Sequence, residues 1–236
     1  MSEFLYTFGA TQKQKTMKRK LLITLALLLG LATLNTQNSN AQGFEWGVRD
    51  GLAFSSLIGI DNTLPQIGFY AGFVSNYFFN NQWGVGADIT LSEQGATCME
   101  NSDGVYMEYC YDYLNIPIMG QYQMELGDGQ RLRFLAGVQL GVFLIAKCEY
   151  EAPSVTGDEI VSGVEYFDSK AFHPIDLGAT VGVQWLLDKT TSIEARYTLG
   201  ITQTHNGISN TLNGYYYISV PDNRNSVFQI GTSFLF

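Results

Sequence analysis

Basic residues are scarce in this chain: 13 lysines and arginines stand against 22 aspartates and glutamates, for a formal net charge of −9. Lys13, Lys15, Lys18, Arg19 and Lys20 crowd the N-terminal end beside one acid, Glu3, so the rest of the chain is more acidic still. Such a surface repels nucleic acid, and no basic patch or RNA-binding signature offsets it. Chemistry-bearing residues are also few, with two histidines and three cysteines. There is no His-Glu-x-x-His, no Gly-x-Ser-x-Gly and no Gly-Lys-Ser/Thr phosphate loop, so the common zinc-protease, serine-hydrolase and nucleotide-binding classes are not indicated. No cofactor or metal is implied. Long apolar runs are missing as well, apart from one near the start.

That run, Leu21 to Leu34, follows the basic Met17-Lys-Arg-Lys20. It is too short and wrongly flanked to span a bilayer as a helix, which takes about 20 apolar residues, and it reads as a signal peptide. Ser39-Asn-Ala41 supplies small residues for cleavage after Ala41, and no cysteine follows to mark a lipoprotein. Residues 1–16 precede a natural start at Met17 and read as a non-native extension. The expected organisation is therefore 1–16 extension, 17–41 signal peptide and 42–236 one domain.

What the domain does contain is alternation at period two. In 190–205, Ile193, Ala195, Tyr197, Leu199 and Ile201 share one parity, with Glu194, Arg196, Thr198, Gly200 and Thr202 on the other. Residues 171–187 and 82–97 alternate as cleanly. Eight such segments are expected: 44–58, 67–79, 82–97, 109–126, 130–147, 171–187, 190–205 and 224–236. Tight Gly-, Asn- and Asp-rich turns (Asn80-Asn81, Gly127-Asp-Gly129, Asp188-Lys189) alternate with long polar connections at 59–66, 98–108, 148–170 and 206–223. Short turns inside and long loops outside describe an all-β, eight-stranded, antiparallel, up-and-down transmembrane barrel, with both termini periplasmic. Asp50 falls on the apolar parity of the first segment; a bulge, or a position outside the bilayer, would account for it.

Alternation alone leaves open which face looks inward, since a soluble lipocalin-like barrel alternates too. The mature chain has only three lysines, a poor coat for a soluble protein. Trp46, Trp83 and Trp185 sit near the periplasmic strand ends on the apolar parity, as an aromatic girdle does. Large apolar side chains would also overfill so narrow an interior. The apolar face is therefore expected to meet lipid.

The inward parity then carries Arg49, Asp88, Arg133, Asp176, Glu194 and Arg196. Their heights, Asp176 excepted, predict one layer in which matched charges neutralise one another as an ionic plug. A paired-carboxylate active site is the alternative, and arginines in equal number make the plug the simpler account. Inward glycines recur, and Tyr70 and Phe143 are placed to cover neighbouring ones.

Elsewhere, His173 and His205 are expected as outward neighbours at the extracellular rim, where a hydrolase or acyltransferase site is the sharper reading and rim histidines at headgroup level the plainer one. Cys98 and Cys110 would close a short loop if joined, leaving Cys148 over; three unrelated thiols is the alternative. Acids at Glu100, Asp103, Glu108, Glu149, Glu151, Asp158, Glu159, Glu165 and Asp168 make the long loops either simply solvated or fit for cation bridging to lipopolysaccharide or for a basic partner.

Three blocks carry a family likeness: Gly47-Val-Arg-Asp-Gly-Leu52, Tyr113-Leu-Asn-Ile-Pro-Ile118 and Phe228-Gln-Ile-Gly-Thr-Ser-Phe-Leu-Phe236. On them the chain resembles the PorT-like outer-membrane β-barrels of the Bacteroidetes type. That family usually has Glu where Asn115 stands here. Pro117 in the same block forfeits a ladder bond, which predicts a local bulge. The resemblance implies an assembly signal at Phe236, read by barrel assembly machinery, and an envelope or secretion partner, since named members are tied to type IX secretion. The expected function is a non-enzymatic, plugged envelope barrel in contact with outer-membrane lipid and lipopolysaccharide, with a narrow pore or a rim enzyme as alternatives.

Overall fold

Each strand arises where bulky and β-branched side chains alternate with small or polar ones, and each stops where Asn, Asp or Gly offers turn chemistry. In the computed structural model, residues 43–59, 63–98, 106–153, 160–167, 172–205, 208–212, 216–220 and 223–236 are described. The leader, residues 1–16, and the loop acids Glu100, Asp103, Asp158, Glu159 and Asp168 lie outside those residues.

The strands are β1 Phe44–Ile58, β2 Thr63–Leu64, β3 Gln66–Phe78, β4 Trp83–Cys98, β5 Tyr106–Gly127, β6 Gln130–Pro153, β7 Ile160–Tyr166, β8 Ile175–Leu186, β9 Thr191–Gly200, β10 Ile208–Leu212, β11 Tyr216–Val220 and β12 Arg224–Leu235. Eight of them close a ring in the order β1-β3-β4-β5-β6-β8-β9-β12, and every pairing is antiparallel. Closure is made by β12 lying along β1 from Gly47↔Leu235 to Ile58↔Arg224. The eight expected segments are these eight strands.

The differences fall at the long-loop ends. β5 and β6 run further than expected and β7 adds a rung-by-rung partner to β6, from Lys147↔Tyr166 to Pro153↔Ile160. The stretches 148–170 and 206–223, expected as polar loops, thus contain β7 and the β10–β11 hairpin. Polarity there marks sheet above the bilayer rather than loss of strand. β8 starts only after Pro174, which has no N–H to give the ladder. The bulge expected at Pro117 is also absent. Register runs unchanged from Ala87↔Ile118 to Thr90↔Asn115, and the β5–β6 shifts lie at Asp112/Tyr113 and Glu125/Gly127 instead.

Which face looks out is settled by neighbouring residues. Ile118 is 57% exposed beside a fully buried Met119, and Phe134 is 47% exposed beside a fully buried Arg133. The apolar face forms the outside and meets lipid. Trp46 packs on Phe236 and Trp83 on Tyr122, each with ring centroids 4.9 Å apart, at the short-turn end. Inside, Tyr70 lies across Gly51 and Gly231, where a Cβ would collide with its hydroxyl. Phe143 packs on Tyr113 and Phe172 rather than on a glycine.

The short turns are set by side-chain acceptors. Asn80 Oδ1 accepts the Gln82 and Trp83 N–H groups, both at 2.8 Å. Gly127, Asp128 and Gly129 take φ of 103°, 52° and 78°, the left-handed region that favours Gly and tolerates Asp. Asp188 Oδ1 accepts the Thr190 and Thr191 N–H groups, both at 2.7 Å. Those backbone donors hold the Asp188 carboxyl below its ordinary range. A depressed folded-state pKa contributes stability above the unfolded value and loses it as pH falls through the folded one. Urea unfolding of the refolded barrel should therefore find Asp188→Ala less stable at neutral pH, with the gap to the parent closing below about pH 4.

Candidate functional site: a bore closed by ion pairs

Parity sends Arg49 of β1, Asp88 of β4, and Glu194 and Arg196 of β9 into the lumen, where all four are buried. They form a closed circuit. Arg49 Nη1 donates to Asp88 Oδ2 at 2.7 Å and its Nη2 lies 2.6 Å from Glu194 Oε1. Arg196 reaches the same Asp88 oxygen at 2.5 Å and Glu194 Oε2 at 3.0 Å. β4 and β9 stand on opposite sides of the eight-strand ring, so the Arg196–Asp88 bridge crosses the bore. The Tyr70 hydroxyl donates to Glu194 at 3.3 Å, and the Arg49 guanidinium sits 4.8 Å from the Tyr70 ring centre.

The single layer expected from strand heights is in fact two tiers, with Asp176 apart from both as expected. Arg133 pairs lower down with Glu45, whose Oε2 is 2.6 Å from its Nη2, and also contacts Gln123 and the Phe78 ring. β1 and β6 are again opposite one another, so this pair too spans the lumen near the short-turn mouth. Arg131 shares Glu45 at 3.3 Å. Asp176 meets no arginine: it accepts from the Thr202 hydroxyl at 2.6 Å and from Asn225 Nδ2 at 2.8 Å. Glu45 is the residue sequence reasoning missed. Its signal was available, because it shares the parity of Arg49 in β1.

Above the ions lies an aromatic vault of Tyr109, Tyr111, Tyr113, Phe143, Phe167 and Phe172, with Phe143 stacked on Phe172 at 4.4 Å. Cys148 is buried within it. His205, expected on the outside, is instead fully buried, set edge-on to Phe172 and 2.8 Å from Asn223 Nδ2 through its Nε2. The reason is that β9 ends at Gly200, so strand parity no longer governs residue 205. His173 donates its backbone N–H to the Thr204 carbonyl, one residue from His205.

The expected Cys98–Cys110 disulfide is not formed. Cys110 is a buried free thiol opposite Gly95, while Cys98 sits three rungs further on, opposite Met107. Three rungs are roughly 10 Å, beyond the ~7 Å limit between bridged Cα atoms. Among the described residues no three His, Cys, Asp or Glu side chains gather as a metal cluster. Carboxylates clamped by guanidiniums across a lumen can brace opposite walls through charge-assisted hydrogen bonds.

Residues 35–206 match the sequence model of the outer membrane protein beta-barrel domain family. The chain belongs to that family, and its place is the outer membrane. No curated protein matches it. Among solved structures, it is similar to Ail of Yersinia pestis, crystallised with the heparin analogue sucrose octasulfate, at 19% identity and a TM-score of 0.40, over 82% of this chain and 99% of that one. Neisserial surface protein A matches at 14% identity and 0.40, over 84% and 100%. Outer membrane protein W of Escherichia coli matches at 16% and 0.37, over 83% and 100%. Likeness at this level carries nothing about ligand or activity.

Removing Asp88 leaves two buried guanidiniums sharing one carboxylate. Asp88→Ala should lose about 3–5 kcal/mol in urea unfolding. Lys147, bonded to Glu149 at 2.9 Å but partly exposed, should cost less than about 1 kcal/mol as Lys147→Ala.

Proposed function

We propose that this is a non-enzymatic outer-membrane barrel with a side-chain-filled lumen, which serves the envelope as a structural and interaction protein through its ends and wall. The observation that carries the reading is the pair of ion bridges, Arg196–Asp88 and Arg133–Glu45, each joining opposite strands at a different height. Together with the aromatic vault above them, these bridges support a bore without a continuous aqueous path. In this reading the short-turn end is periplasmic and holds both termini, while the β6–β7 extension and the remaining loops meet lipopolysaccharide or an envelope partner outside. Phe236, whose N–H donates to the Trp46 carbonyl at 2.7 Å, is the signal for barrel assembly machinery. The PorT-like blocks support a secretion-associated partner.

Planar-bilayer recording tests the closed bore. The purified barrel should show no steady conductance, whereas Asp88→Ala combined with Arg196→Ala should open intermittently to small ions. A large, steady conductance of the unaltered barrel would overturn the reading.

A further inference from the structure

Asp50 is explained neither by a bulge nor by a place beyond the bilayer. β1 keeps unbroken register with both neighbours through it, Asp50↔Thr232 on β12 and Asp50↔Ala71 on β3. Arg49 and Gly51 face the lumen, so Asp50 faces out. It lies about 10 Å above the Trp46 level, given the strand rise and tilt, within an apolar band about 25 Å tall.

The outward surface around it has relief. The row Ala71–Asp50–Thr232 is short-chained, and the rows on either side, Phe73–Val48–Phe234 and Phe69–Leu52–Ile230, are bulky. A half-buried carboxylate thus sits in a notch, receiving one hydrogen bond, from Thr232 Oγ1 at 3.1 Å. A lipid-facing charge at this depth is unfavourable, though less so for Asp than for Arg or Lys, and ionisable residues within the membrane mark function. Among the described residues the outward-facing cations of the eight strands are Lys147 and Arg224, both at the long-loop end. A second copy in two-fold contact here would set carboxylate against carboxylate.

We propose that the Ala71–Asp50–Thr232 notch is a docking site for a different membrane-embedded protein, which presents an arginine or lysine side chain to Asp50 at mid-bilayer depth. Charge complementarity selects the partner residue, and the notch admits its stem between the bulky rows. The site lies on the wall, so it stands whether or not the bore conducts.

The test uses the full barrel in phospholipid nanodiscs and a synthetic Leu/Ala transmembrane helix of about 20 residues with one central arginine, read by energy transfer. A helix with leucine at that position is the control. The arginine helix should associate at least ~10-fold more tightly, equivalent to about 1.4 kcal/mol. Asp50→Leu should abolish the difference and Asp50→Glu should keep it. Folding of both variants is checked by heat-modifiable gel mobility. Equal association of the two helices, or an advantage that survives Asp50→Leu, would overturn the proposal. So would Asp50-dependent dimerisation of the barrel alone, which would assign the face to a second copy.

Discussion

A strand edge in hydrocarbon leaves backbone N–H and C=O groups with no partner, and no water is there to take them. Closure of β12 on β1 is therefore the contact on which the rest depends. Once eight strands close, the lumen is only as wide as the side chains that point into it. Everything polar in the chain must then fit into that bore, project above the bilayer, or be tolerated on the wall.

The bore takes its charges in matched sets. Arg49, Asp88, Glu194 and Arg196 form one circuit, and Arg133 and Arg131 with Glu45 form another. Because β1 faces β6 and β4 faces β9, these contacts tie opposite walls together, so interior electrostatics and barrel geometry reinforce each other. A buried ion pair of this kind is weak evidence of stabilisation relative to an apolar filling, but losing one partner leaves an uncompensated charge. Aromatic rings fill the upper bore by a different means, through stacked and edge-on contacts. Asp50 stands outside both schemes, which is why the wall around it carries a functional reading.

Much of this was legible in the chain. Period-two alternation, the tight Asn, Asp and Gly turns, and tryptophans on the apolar parity led to strand number, order and the face that looks outward, because each is a local property of the backbone. The six inward charges were legible for the same reason, and all six are buried. Their partners were not. Arg133 bonds Glu45, a residue far away in sequence that only ring closure brings opposite. The vertical offset between strands, set by shear, moves residues of equal count to different heights, and so the one anticipated layer, which left Asp176 aside, became two tiers.

The outer ends were the least readable. His205 turns inward because β9 stops at Gly200, and a strand's end depends on what its neighbours can still offer the ladder. β7 and the β10–β11 hairpin were masked by polarity, which above a bilayer says nothing against strand. The sequence by itself determined a lipid-facing barrel of eight antiparallel strands and the six charges that enter it, since both follow from alternation along single strands. Only the tertiary structure decided which charges meet across the lumen, where the cysteines stand and that Asp50 faces lipid at depth, because those follow from register between strands distant in the chain.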